Sequence, residues 1–173
     1  RETAVQILQL GSADFSVTQE GVTDVLSSVL DEGELAELAA DPDVESVVGV
    51  LVDTEDLGGD NPLFLVIGIE PDKLEEFGVR VLEGRPYAAG ADDEIMLGYR
   101  AARNLGKEVG DTFSLESDAY AERLEVVGIF ATGQDFGDSA SMLPLTAVQA
   151  AERKAGNVTL AFVRVRPGAD VDA

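Results

Sequence analysis

Glu94-Ile95-Met96-Leu97-Gly98 is the stretch most informative about the fold, because this apolar strand pattern runs without a linker into the helical pattern of Tyr99–Leu105. Gly106 closes the predicted helix, as glycine commonly does after a last helical turn. Downstream, residues 123–130 are rich in Val, Leu and Ile and predict a second strand. Helices and strands therefore mix along the chain, which favours an α+β fold over a doubly wound parallel sheet.

Outward from this stretch, the spacing of apolar residues predicts elements in both directions. Residues 22–30 are left open, because their spacing favours a helix while their Val, Ser and Thr content favours a strand. Asp31 and Glu34 have the spacing of a capping box and predict the start of a helix. The other predicted strands are one long or two short strands over residues 5–17 and strands over 44–53, 63–70, 112–116 and 158–166. The remaining predictions are a polar turn over 55–62, a helix over 71–77 that ends at Gly78, a helix over 145–155, and a loop over 134–141.

The composition is that of one ordinary domain or two small lobes. The chain has 173 residues, of which 45% are hydrophobic and 6% aromatic, so Val, Leu, Ile and Ala must form most of the core. The longest apolar runs, residues 47–52 and 63–69, are far shorter than the roughly 20 residues that span a bilayer. Because the chain begins at Arg1 rather than Met, we expect a piece of a longer protein whose membrane helices lie elsewhere.

The net charge of −22, from 34 acidic and 12 basic residues, argues against two classes of partner. Nucleic acids and anionic lipid surfaces both require a basic protein surface. We predict a halophilic protein with an acidic surface, because at about 1 M salt the Debye length is roughly 3 Å and self-repulsion is screened. An ordinary acidic protein is the alternative. The absence of Cys removes disulfides, thiol catalysis and thiolate metal sites.

No set of residues has the spacing of a catalytic site, and we predict that the chain is not an enzyme. It contains no His, which removes Ser–His and Cys–His dyads, and its three Lys residues are predicted to be exposed. Asp92-Asp93-Glu94 would point in different directions at the start of a strand and is predicted to be solvated. Gly98 and Gly106-Lys107 are too far apart for a phosphate loop.

The acidic turn after the strand over residues 44–53 is a candidate cation site. Asp53, Glu55, Asp56 and Asp60 could offer oxygen ligands to Ca²⁺ or Mg²⁺. Their spacing is not that of an EF-hand, and acidic residues occur throughout the chain. We therefore predict a solvated loop, with no metal and no cofactor.

Two further candidates involve surfaces rather than catalysis. Phe136 and Met142 flank the Gly137-Asp138 loop, where they either pack beneath the loop or contact another chain or a lipid-like ligand. Asn157-Val158-Thr159 has the pattern of an N-glycosylation acceptor, which makes Asn157 a candidate modification site if the domain faces outward.

Several short motifs follow one another in the second half of the chain, whereas the first half contains none that we can place. They are Gly84-Arg85-Pro86-Tyr87, residues 95–98, Val109-Gly110-Asp111, residues 126–130, Pro144-Leu145 with Gln149, and Arg166-Pro167-Gly168-Ala169-Asp170. In this order they resemble the MacB-like periplasmic core domain of FtsX-like ABC transporter permeases.

The resemblance implies two subdomains. A βαβ-containing, Porter-like subdomain over residues 1–85 and 144–173 would carry both chain ends. A smaller, strand-rich, Sabre-like subdomain over residues 86–143 would be inserted into it. The chain would turn back toward its next membrane helix after Arg166.

The resemblance also implies a function and a set of partners. The domain would be a non-catalytic part of a membrane permease, on the extracytoplasmic side of the cell membrane. It would transmit ATP-driven motion of the membrane helices to a substrate or partner outside the membrane. The implied partners are a cytoplasmic ABC ATPase, reached through the membrane helices, a second copy of the permease in a homodimer, and an extracytoplasmic protein or lipid-like substrate.

Two other functions stay open as alternatives. A free-standing ligand-binding domain would need a closed, apolar pocket with a few convergent polar groups. A hydrolase would need carboxylates and a bound metal. The permease hypothesis, in contrast, requires residues 1 and 173 to lie near each other, so that neighbouring membrane helices can carry the domain.

Overall fold

The computed structural model of the chain describes residues 3–6, 15–19, 30–59, 63–115 and 117–166. Its strands are β1 (Thr3–Gln6), β2 (Phe15–Gln19), β3 (Leu30–Asp31), β4 (Val44–Glu55), β5 (Phe64–Gly68), β6 (Arg80–Gly84), β7 (Glu94–Gly98), β8 (Thr112–Phe113), β9 (Leu124–Ala131), β10 (Ser141–Leu143), β11 (Asn157–Val158) and β12 (Leu160–Val165). Its helices are α1 (Glu32–Ala39), α2 (Leu74–Phe77, preceded by a 3-10 turn over Pro71–Lys73), α3 (Tyr99–Leu105), α4 (Asp135–Asp138) and α5 (Leu145–Glu152).

Ten of these strands form one mixed sheet in the order β1-β2-β12-β4-β5-β10-β7-β9-β6, with β8 paired to β9, while β3 and β11 form a separate pair. Strand β10 connects the two parts of the sheet, because it is parallel to β5 and antiparallel to β7. Strands β7 and β9 are also parallel, whereas the other pairs are antiparallel. The mixed sheet with its helices confirms the predicted α+β fold class.

Both faces of the central strands are buried. Along β4, Val48, Val50 and Val52 pack in one hydrophobic cluster with α2, while Leu51 belongs to a second cluster that includes residues of α3 and α5. Successive side chains of a strand point to opposite faces, so a strand covered on both sides needs apolar residues at nearly every position. This burial explains the continuous apolar run over residues 47–52, which alternation alone would not produce.

The motifs of the second half are structural. Gly84 has a positive φ of 73°, and a Cβ there would lie 2.1 Å from the carbonyl oxygen of Val127. Tyr87 is 2% exposed, and its hydroxyl donates to the carbonyl oxygen of Ile69 at 2.6 Å. Gly110 has a φ of 97° and donates its N–H to the carbonyl of Val126. These residues join β6, β9 and the loop after β5 through their backbones.

Several element predictions are confirmed. Asp31 caps α1, since its carboxylate accepts from the N–H of Gly33 at 2.6 Å. Gly78 and Gly106 end α2 and α3 in the left-handed conformation. The N-terminal region forms two short strands, β1 and β2, rather than one long strand.

Other predictions are wrong in their bounds. The loop predicted over residues 134–141 contains α4, because the buried Asp138 carboxylate accepts from both the N–H and the hydroxyl of Thr132 and closes this turn. Helix α5 ends at Glu152 instead of residue 155, because Arg153 adopts a left-handed φ of 57°. The strand predicted over residues 112–116 is reduced to β8, and the last predicted strand divides into β11 and β12.

The predicted division into subdomains over residues 1–85 with 144–173 and over 86–143 stays a prediction. The sheet continues across both proposed boundaries, since β5 pairs with β10 and β6 pairs with β9. Residues 1 and 173, as well as most of the open stretch over residues 22–30, lie outside the described residues. In the part of the chain that the structure describes, no helix combines the length and apolarity needed to span a membrane.

Candidate interaction surface

A candidate interaction surface lies on helix α3, which packs beside strands β7 and β9 near the β6 edge of the sheet. Helix α3 follows β7 directly, and Gly98 allows this, because a Cβ there would lie 2.2 Å from the carbonyl oxygen of Asp138. The close approach brings α4 beside the start of α3. We define the α3 surface as Leu82 of β6, Tyr99, Arg100 and Arg103 of α3, Lys107 just beyond it, and Phe136 of α4.

Two of the three cations of the α3 surface lie beside one aromatic ring. The guanidinium carbons of Arg100 and Arg103 lie 5.8 and 5.9 Å from the centroid of Tyr99. Arg100 also donates to the Tyr99 hydroxyl at 3.2 Å and pairs with Asp135 of α4 at 3.0 Å. Cation–π contacts at exposed sites contribute roughly 0.5–1 kcal/mol each, which favours one orientation of both side chains.

An open groove of about 380 Å³ separates β6 from α3. It is lined by Leu82 and Glu83 on one side and by Tyr99, Ala102 and Arg103 on the other. A second open hollow of about 940 Å³ lies on the other side of Lys107 and is lined mainly by polar side chains of the residues around β8 and before β9. Lys107 lines both, so the two hollows form one continuous surface.

Phe136 and Met142, predicted as a joint contact site, have different environments. Phe136 is 44% exposed on α4, beside the Arg100–Asp135 pair. Met142 is fully buried in β10, between β5 and β7. The structure therefore corrects the prediction for Met142, which has no surface to offer a partner. A contact through Phe136 stays a prediction.

The sequon at Asn157 lies in folded backbone. Asn157 is half-buried in β11, and its carbonyl accepts from the Gln149 side chain at 3.0 Å. Thr159, the third residue of the sequon, is fully buried, and its hydroxyl accepts from the N–H of Val52 at 3.0 Å. Glycosylation of Asn157 stays a prediction, and the Thr that the sequon requires is buried.

A cluster of three carboxylates lies where β4 meets the end of α5. Asp53 and Glu55 come from β4 and Glu152 from α5. The pKa values of Glu55 and Glu152 are both raised to about 7. The larger cause is desolvation by burial, and the next is a hydrogen bond to Asp53. Lys154 pairs with Glu152 at 3.4 Å, and the Tyr120 hydroxyl donates to Asp53 at 2.7 Å. Burial, with Asp53 as acceptor, also raises the pKa of Tyr120, which keeps this hydroxyl protonated.

This cluster corrects the prediction that the acidic turn is a solvated loop. Asp53 and Glu55 are half-buried in strand β4, whereas Asp56 is exposed and accepts from the N–H of Gly58. Asp60 lies outside the described residues. Among the described residues, no group of acidic side chains has the arrangement of a metal site. Sequence reasoning missed Glu152 and Tyr120, because 67 residues separate Tyr120 from its partner Asp53 and no local pattern links them.

The prediction that Asp92-Asp93-Glu94 is solvated is wrong for Glu94. Its side chain is 14% exposed and pairs with Arg85 across the turn between β6 and β7. The hydrogen bond from Arg85, and a second one from the N–H of Ala88, lower the pKa of Glu94. Its neighbours Asp92 and Asp93 are exposed, as predicted.

Comparisons with known proteins bear on the whole chain. Residues 2–173 match the profile of the family described as MacB-like periplasmic core domain. No curated protein sequence matched the chain. The structure resembles the periplasmic region of MacB from Actinobacillus actinomycetemcomitans, with 13% identity, a TM-score of 0.63, and coverage of 89% of this chain and 71% of that chain. It also resembles the extracellular domain of the noncanonic ABC-type transporter YknZ from Gram-positive bacteria, with 15% identity, a TM-score of 0.63, and coverage of 81% and 75%.

Proposed function

Because the chain belongs to the family of MacB-like periplasmic core domains, we propose that it is a rigid, non-catalytic relay in an ABC transporter permease. The family itself consists of periplasmic domains of MacB- and FtsX-like permeases. In the relay, ATP-driven movement of the membrane helices shifts the domain, and the domain passes this movement to a substrate or partner outside the membrane.

The continuous sheet is the observation that supports the relay. Six strand-to-strand steps separate β12, the last strand of the chain, from β6 beside the α3 surface. At about 4.8 Å for each step, these strands extend over roughly 29 Å. Hydrogen bonds connect every step, and the central strands are packed on both faces, so displacement of one edge moves the other edge with it.

The direction of the outer strands bears on how the domain is held. Strands β1 and β12 are both antiparallel to β2, so the chain enters β1 and leaves β12 in the same direction. A chain that comes from the membrane and returns to it must therefore reverse after β12. Pro167-Gly168 follows there and suits such a reversal. We propose that residues 167–173 make this return, as the resemblance implied.

The proposal includes the partners and location that the family implies. The domain would face the extracytoplasmic side of a cell membrane and act with a cytoplasmic ABC ATPase through the membrane helices. The permease would work as a homodimer and would present the domain to an extracytoplasmic protein or a lipid-like substrate. Adaptation to high salt is proposed from the net charge alone.

A free-standing ligand-binding domain is the second candidate, favoured by the hollow of about 940 Å³ beside β8. Its volume suits a small ligand, but it is open and mainly polar, whereas small-molecule sites are mostly apolar clefts. A gene without hydrophobic spans on either side of this segment would support this candidate over the relay.

Distance measurements between spin labels test the relay. The chain has no Cys, so pairs of labels can be placed freely in the full-length permease with its ATPase in liposomes. One pair, Leu82→Cys with Thr146→Cys, lies within the domain, and Glu37→Cys alone reports the distance between the two copies. We expect the distance within the domain to stay constant through the ATP cycle while the distance between copies changes.

The control is the same set of labels with a hydrolysis-deficient ATPase, which should remove the change between copies. A distance within the domain that varies with nucleotide would contradict a rigid relay. A constant distance between copies under turnover would contradict transmission of motion by this domain.

A further inference from the structure

The α3 surface carries a local group of three of the twelve basic residues. Of the 34 acidic residues 19 precede residue 80, but only 2 of the 12 basic residues do. The nine residues from Tyr99 to Lys107 contain three bases and no acid. On a chain of net charge −22, this stretch differs in sign from its surroundings.

Two of these cations lack an acidic partner. Arg100 pairs with Asp135, but Arg103 and Lys107 have no carboxylate within ion-pair distance among the described residues. Glu83 and Glu108 line the same groove without reaching either cation. The groove is therefore lined by two cations and two carboxylates, and neither cation forms an ion pair with these carboxylates.

Strand β6 forms the opposite wall of the groove and lies at an edge of the sheet. Its one neighbour among the described strands is β9, so the backbone groups on its other side have no strand partner in the part of the chain that the structure describes. The register shifts between Val81 and Glu83, and this bulge leaves Leu82 45% exposed over the groove. An open strand edge beside an apolar side chain is the arrangement that extended peptides use when they add to a sheet.

We propose that the groove between β6 and α3 docks an extended segment of another protein, in which acidic and apolar residues take turns at every second position, so that both kinds face the groove. The backbone of the segment would pair with the free side of β6. Of its side chains that face α3, the apolar ones would lie on Leu82 and the carboxylates would pair with Arg103 and Lys107. The site deepens the proposed function, since it names the surface at which the relay meets its extracytoplasmic partner.

Two other occupants fit less well. A second copy docked symmetrically would place Arg103 and Lys107 against the same residues of its neighbour, and like charges oppose such a contact. An anionic lipid headgroup would use the cations but neither the strand edge nor Leu82. A charged bilayer would also meet the field of the whole acidic domain, whereas a short segment meets mainly the local charge.

An NMR titration of the 173-residue chain tests the site with a short Glu-Val peptide, in which Glu and Val take turns at every second position and Ser fills the positions between them. We expect shifts of β6 and α3 resonances at low salt and weaker binding at about 1 M salt, where the Debye length is roughly 3 Å. The double variant Arg103→Glu with Lys107→Glu should lose about tenfold or more in affinity, because it removes two charged contacts. Leu82→Ser should also weaken binding.

Arg153→Glu is the matched control, because Arg153 is exposed beyond α5 and outside the groove. The affinity of this variant for the Glu-Val peptide should equal that of the parent chain. Equal weakening by Arg153→Glu, equal binding of a Lys-Val peptide, or no binding of the Glu-Val peptide would overturn the proposal. So would binding of phosphatidylglycerol vesicles, or self-association, in place of peptide binding. The titration involves neither membrane nor ATP, so its result is independent of the relay measurement.

Discussion

The far edge of the sheet, formed by β9 and β6, and the C-terminal end of strand β4 are stabilised in opposite ways. At the far edge, backbones fit closely at glycines, such as Gly84 against Val127 and Gly128 against Arg85, and the acid Glu94 has a cation. At the end of β4, Asp53 and Glu55 lie near Glu152, and like charges share one partly buried space.

The contrast shows where this acidic chain tolerates repulsion between charges and where it tolerates no steric overlap. Close backbone contacts depend on the absence of a single Cβ and leave no freedom for adjustment. Carboxylates that share a buried space can instead hold a proton, which removes the repulsion between them. The stability of the fold then depends on pH. We therefore expect steric substitutions to matter most at the far edge and pH to matter most at β4.

Substitution at Gly84 should have the largest effect on stability. Gly84 and Gly90 have nearly equal φ values of 73° and 76°, but a Cβ at Gly90 would meet no atom within 4 Å. Gly90→Ala should cost about 1–2 kcal/mol for the left-handed backbone alone. Gly84→Ala should cost about 1–3 kcal/mol more, because its Cβ would overlap β9. Thermal melting checks this, with Gly84→Ala expected to melt about 5 °C below Gly90→Ala.

This pair separates two effects that usually occur together. Equal destabilisation by both substitutions would mean that β6 can move away from β9, and the far edge would then lack the rigidity that the relay requires. Native-state hydrogen exchange of the β6 amides in the Gly84→Ala variant would show such a movement directly.

The carboxylate cluster should make stability fall as pH rises. Glu55 and Glu152 have folded pKa values of about 7, above their ordinary value of 4.5. The folded chain therefore keeps protons that the unfolded chain releases, so the stabilisation is complete below about pH 4.5 and lost as pH rises through 7. Glu152→Gln should melt several degrees higher than the parent at pH 8 and show a flatter pH dependence.

Exposed Glu37 of α1 provides the control for this substitution. Glu37→Gln removes the same charge from the chain but no member of the cluster, so its pH profile should follow that of the parent. If both variants gain equally at pH 8, the effect belongs to the net charge of −22 rather than to the cluster.

These results show which parts of the molecule the sequence could predict. Gly78, Gly106 and the Asp31 cap were predictable, because each acts on backbone groups a few residues away. The order of motifs predicted the family, because each motif is a short run of residues that can be recognised without its distant contacts, such as that of Gly84 with Val127. The open edge at Leu82 and the carboxylate cluster were not predictable.

Both missed features depend on contacts between distant segments. The exposure of Leu82 depends on the pairing of β6 with β9, and the cluster requires β4 to meet α5. Met142 shows the same limit in the opposite direction. Its position beside a loop left packing and a partner contact both open, and the pairing of β10 with both β5 and β7 buries it completely.

The smallest effect should come from the ion pair at the far edge. Arg85 is largely exposed, and exposed pairs contribute little to stability. Because Arg85 lowers the pKa of Glu94, the pair stabilises the fold above the ordinary Glu pKa of 4.5, and this contribution is lost as pH falls through the folded pKa. Glu94→Gln should therefore lower the melting temperature slightly at pH 7 and not at about pH 3, the reverse of Glu152→Gln. A loss at pH 7 as large as that of Gly84→Ala would show that charge, rather than close backbone contact, holds this edge together.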